Sequence, residues 1–147
     1  MTSQLYETDF YAWTLEQAKL LKQGKLNQLD ILNLIEEIES LGKREKQELR
    51  NRLGILIGHL LKWEYQSDKR SNSWKATIRE QRRRIKQHLQ DNPSLKSYLS
   101  EAVISGYQDG VDLAIQETNL PDTTFPSENP YSISQILDPA FLVNQEE

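Results

Sequence analysis

A chain of 147 residues with a net charge of −4 and no cysteine can bury roughly 70% of its unfolded surface in one domain without a metal or a disulfide. The missing cysteine removes disulfides, thiolate metal sites and cysteine nucleophiles together, and it fits a reducing cytoplasm. The opening stretch MTSQLYETDFYAWTLEQ carries Glu7 and Asp9 and lacks the basic-then-apolar order of a secretory signal. No apolar run approaches the roughly 20 residues that cross a bilayer, so a soluble cytoplasmic chain with no membrane partner is expected.

Helical periodicity dominates and strand signals are scarce. A first helix is predicted from Thr8 or Asp9 to about Gln23, where Gly24 offers a left-handed C-terminal cap. Asp30 then caps a second helix, with Leu29 and Leu34 at staple spacing around it. Apolar residues recur at Ile31, Leu34, Ile35, Ile38 and Leu41, and again at Leu49, Leu53, Leu56 and Leu60. The pattern over 30–67 allows one helix of roughly 35 residues, about 50 Å long, with Ser40-Leu41-Gly42 as the place for a bend. Gly54 and Gly58 at i, i+4 signal close helix packing. A third helix is predicted from Ser71 or Ser73 to about Gln90, with Trp74, Ile78, Ile85 and Leu89 as its stripe. Asn92 and Pro93 stop it and open a fourth helix, whose apolar side includes Gly106 and Gly110. After Asn119 the stretch LPDTTFPSENPYSISQILDPAFLVNQEE holds four of the five prolines. Ser132-x-x-Gln135 is a capping box for one short helix, Ile133 to Leu137. Phe125, Tyr131, Ile136, Leu137, Phe141 and Leu142 are too apolar for a free tail, so residues 120–142 read as a strap across the main helices of 1–119.

The fold class is therefore all-α: a small up-and-down helical bundle with a C-terminal strap and one short helix, as a single domain over 5–142. Short connections make consecutive helices antiparallel neighbours, which puts Arg82 roughly opposite Gly58 and His59. The stretches LYETDFYAWTLEQAKLLKQG, LDILNLIEEIESLGKREKQELR, HLLKWEYQ, SWKATIREQR, PSLKSYL and ETNLPDTTFPSENPYSISQILDPAFL resemble the family known as domain of unknown function 29, which is abundant in cyanobacteria. The resemblance spans about 5–142 and implies a compact α-helical bundle with no assigned activity.

Charge is unevenly spread. Residues 69–90 hold eight Lys/Arg against Glu80, and 91–147 hold ten Asp/Glu against Lys96. The plain expectation is that Arg79, Arg83, Arg84 and Lys86 are offset by nearby carboxylates, so nucleic acid is not an expected partner. Their recurrence at helical spacing nonetheless makes them the candidate binding surface. No metal site is expected. Carboxylate-bridged bundles need Glu-x-x-His, and Leu56 and Ile85 stand three residues before His59 and His88. Glu36, Glu37 and Glu39 read as a solvated face with one carboxylate paired to a base. His59, with Trp63 at i+4, reads as a packed core histidine, and no nucleophile elbow accompanies it. A sharper possibility pairs Arg52 with His59 and Arg83 with His88, at the spacing of helical ribonucleases. There histidine would move the 2′-hydroxyl proton and arginine would stabilise the phosphorane charge. Arg82 lies within an apolar stripe, and a buried guanidinium needs an acceptor, so Arg82 and His59 form a candidate polar lock. The expected function is a non-enzymatic interaction protein without a cofactor, acting through a protein partner or self-association. The alternative is an RNA-cleaving or nucleic-acid-binding bundle.

Overall fold

The computed structural model describes residues 2–143, and side chains from Gln4 onward. Six α-helices occur among them: α1 (Thr2–Thr8), α2 (Phe10–Lys22), α3 (Ile31–Tyr65), α4 (Asn72–Asp91), α5 (Leu99–Thr118) and α6 (Ile133–Leu137). Short 3-10 segments join several of them, and no strand is found among the described residues. The fold is an all-α bundle. Among the described residues, no helix is long and apolar enough to cross a membrane. Packing groups the chain into two compact units, residues 1–44 and 45–147.

In residues 1–44, Asp9 separates α1 from α2. Its Oδ1 accepts the Ala12 amide at 3.1 Å, satisfying a donor that the first turn leaves free. Gly24 closes α2 at φ 71°, a conformation glycine adopts without Cβ strain. Trp13, Gln17 and Leu20 are the buried positions of α2. The Trp13 indole donates to Asp30 at 3.0 Å, and the Gln17 carbonyl oxygen accepts the Asp30 amide at 2.9 Å. Asp30 also accepts from the Asn33 side chain at 2.8 Å. The expected carboxylate–base pair at Glu36–Glu39 is replaced by a phenol: Tyr6 donates to Glu37. That bond, with burial and the Glu37 charge behind it, holds the Tyr6 pKa up at about 12.

Residues 45–147 hold the main core. Leu49, Leu53, Leu56, Ile57, Leu60 and Leu61 of α3 are fully buried. Against them stand Ile78, Ile85 and Leu89 of α4 and Ala102, Val103, Tyr107 and Ala114 of α5. α3 and α5 cross in close contact at their glycines. A Cβ on Gly110 would lie 2.9 Å from the Gly58 amide nitrogen, and one on Gly106 3.0 Å from Leu53 Cβ. Both side-chain-free surfaces are needed for that crossing. The strap contributes Phe125, Tyr131, Ile136 and Val143 to the same core. Tyr131 donates to Glu64 at 2.7 Å, and Tyr107 donates to the Pro126 carbonyl. α6 carries the complete Ser132/Gln135 capping box.

α3 runs as one 35-residue helix through Ser40–Gly42, as the pattern over 30–67 allowed. Two readings differ. A separate helix, α1, precedes the predicted start at Thr8 or Asp9. The helix predicted from Pro93 begins as a 3-10 segment, Pro93–Tyr98, and turns α-helical only at Leu99.

Candidate functional site

α4 opens at Ser71, whose hydroxyl accepts the Trp74 amide at 3.2 Å. From there the sequence gives the helix two unlike sides. Ile78, Ile85 and Leu89 point into the core, while Lys75, Arg79, Arg83 and Lys86 climb the outside at i, i+4, i+8 and i+11. The end of the strap runs alongside. Between them lies a groove of about 1010 Å³. Its floor is apolar: the edges of the buried Ile78 and Leu89 of α4 and of Val143 just past the strap, with the half-buried Leu137 of the strap. Its rim is cationic and exposed, formed by Lys75, Arg79, Arg83, Lys86 and Lys96. Among the described residues, no carboxylate lines it.

Arg82 builds the second wall. It is only 6% exposed, and its Nε donates to the Ile136 carbonyl at 2.8 Å. Nη2 donates to the carbonyls of Gln135 and Phe141, each at 3.3 Å, and Nη1 to that of Pro139 at 3.4 Å. One guanidinium thus fastens the strap to α4 through four carbonyl dipoles. Burial lowers its pKa, with the Asp138 charge acting the other way. Arginine stays protonated even so, so the guanidinium adds positive charge beneath the rim.

Among the described residues, the offset expected for the basic segment is found at one place: Arg84 pairs with Glu80 at 2.9 Å, away from the groove. Among the described residues, Lys75, Arg79, Arg83, Lys86 and Lys96 make no ion pair.

The Arg/His pairs are not brought together. Arg52 is held by Glu48 at 2.9 Å and reaches Gln81 at 3.3 Å. His59 is half-buried, and its Nδ1 donates to the Ile55 carbonyl of its own helix at 2.9 Å. Burial pushes its pKa below the ordinary value, keeping it neutral. His59 and Arg82 share no partner. Arg83 faces the groove, while His88 is buried on the other side of α4 and donates from Nε2 to the Glu45 carbonyl at 3.0 Å.

Two features had no signal in the sequence. Lys62 sits 4% exposed within the α3 core row. It pairs with Glu117 and lies 4.5 Å from the centre of the Trp74 ring. His88 approaches the Glu45 carboxylate at 3.5 Å and that of Glu48 at 3.8 Å. These three side chains could in principle ligate a cation, since their ligand atoms lie within 4.8 Å of one another. The His88 Nε2 proton and the Glu48 carboxylate are already engaged by Glu45 and Arg52, so the cluster works as a polar brace between α3 and α4. Neither ion pair could be read from local spacing, because Lys62 and Glu117 are 55 positions apart and His88 and Glu45 are 43.

No curated protein and no solved structure matches the chain. Residues 5–142 match the family described as "Domain of unknown function DUF29". That match covers nearly the whole sequence, and the chain belongs to this family.

Proposed function

We propose that the chain is a non-enzymatic interaction protein of the cytoplasm, and that the α4 groove holds an acidic, apolar-faced segment of a protein partner. One observation carries this reading: among the described residues, five exposed cations without ion pairs stand over an apolar floor, and no carboxylate lines the groove. A matching ligand presents carboxylates to the rim and apolar side chains to Ile78, Leu89, Leu137 and Val143. An acidic amphipathic helix does both. The single functional domain is taken as 5–142, with the strap of 120–142 serving as one wall of the groove.

The same cations would attract a phosphate backbone. The apolar floor argues for peptide instead, because phosphates gain nothing from it and no aromatic ring lines the groove to stack a base. Cleavage is disfavoured by the separate engagement of Arg52, His59 and His88.

Fluorescence anisotropy at physiological salt tests the reading. A labelled acidic amphipathic helical peptide is expected to bind, and Arg79→Glu with Arg83→Glu to weaken it by about tenfold or more, ~1.4 kcal/mol. Single-stranded RNA is expected to bind no tighter than the roughly 10⁻⁴–10⁻⁶ M non-specific range. Tight, steeply salt-dependent RNA binding with no peptide binding would replace this function by nucleic-acid recognition.

A further inference from the structure

Ten of the eleven large hydrophobic side chains that stand exposed among the described residues fall in residues 1–44; the eleventh is Ile104. Their arrangement is ordered. Trp13 and Gln17 of α2 both bond to Asp30, and Tyr6 of α1, whose ring packs on Trp13 at 4.8 Å, bonds to Glu37, so the chain through α1 and α2 runs antiparallel to the start of α3. On α2, Phe10 and Leu21 lie three turns apart beside the buried Trp13, Gln17 and Leu20. On α3, Ile31, Ile35 and Ile38 recur at i, i+4 and i+7. In an antiparallel hairpin of right-handed helices these two rows fall on the same side of the seam. All five side chains are 46–65% exposed. Gly42 continues the α3 row, and a Cβ built there meets nothing of its own chain. The row thus remains open at that position.

Lys19 and Lys22 fall on other sides of α2 by helical spacing, Thr14 is the polar residue between Phe10 and Leu21, and the exposed Glu39, four residues after Ile35, borders the α3 row. Half-exposed, the five side chains leave on the order of 500 Å² of apolar surface. That is the apolar share of the roughly 800 Å² each partner gives to a standard interface. Five apolar side chains in two adjacent rows, bordered by one carboxylate, offer little to a strongly charged ligand. What they fit is an apolar face of the same breadth.

We propose that a second copy of this chain covers this face, two hairpins joining about a two-fold axis into a four-helix arrangement. Such an isologous contact needs only one self-complementary patch, and antiparallel helical hairpins pair readily in this way. The proposal is independent of the groove on α4.

Sedimentation equilibrium of the full chain decides it. The wild type is expected to self-associate reversibly to a dimer below about 100 μM, as an interface of standard size should. Ile31→Lys with Ile38→Glu is expected to weaken that association by about tenfold or more while leaving the helical circular dichroism unchanged. Ile104→Glu, at the exposed isoleucine of α5, is expected to leave association untouched. A wild type that stays monomeric, or a dimer indifferent to the Ile31/Ile38 pair, would overturn the proposal. So would equal weakening by Ile104→Glu.

Discussion

Arg82 stands in the apolar stripe of α4, and all four of its acceptors are carbonyls of residues 135–141. A charged donor left without acceptors is costly in a core, and so are carbonyls left without a donor. Arg82→Ala is therefore expected to destabilise the fold by about 3 kcal/mol. Chemical denaturation checks this, and a change under about 0.5 kcal/mol would contradict it. Arg82→Lys should recover little, because an ammonium cannot reach acceptors spread across a planar fork. The sequence makes the anomaly legible, since a guanidinium within Ile78, Ile85 and Leu89 demands a partner. It does not make the partner legible. Hairpin geometry pointed to His59, and the acceptors lie more than 50 positions downstream, in backbone atoms that any residue could supply. Lys62 was missed for the same reason: its stabilising carboxylate, Glu117, is 55 positions away.

Individual helices were read best where a terminus has its own chemistry. Asp9, Ser71, Ser132 with Gln135, and Gly24 each act through a local hydrogen bond or a positive φ, and each marks a real boundary. Pro93–Tyr98 was read as α-helix and is 3-10. The two forms differ by where one amide points, so the burial of Leu95 can decide between them, and no local signal distinguishes the choice. The α3–α5 crossing gives the sharpest element-scale test. Alanine is the better helix former by about 1 kcal/mol, so propensity alone predicts that Gly110→Ala stabilises α5. Contact predicts the reverse, because the new Cβ would lie 2.9 Å from backbone on α3. Overpacking of this kind costs about 1–3 kcal/mol, and Gly110→Ala is expected to lower the melting temperature. An unchanged or higher value would show that the two helices separate freely.

Across the whole molecule, the opposite charges of residues 69–90 and 91–147 suggested mutual neutralisation. Proximity in sequence composition is not proximity in space. Among the described residues, the acids of α5 and the strap make no ion pair with the outer side of α4, and Glu80 offsets only Arg84. The rim spacing of Arg79, Arg83 and Lys86 was legible. The apolar floor was not, because Leu137 and Val143 reach it only through the strap. The central claim is that this floor, and not the cationic rim alone, receives the ligand. Methyl-resolved NMR of the full chain, titrated with an acidic amphipathic helical peptide, addresses it directly. The methyl signals of Ile78, Leu89, Leu137 and Val143 are expected to shift saturably, while that of Ile104 stays in place. Unmoved floor methyls, with any response confined to the arginine and lysine side chains, would contradict the account.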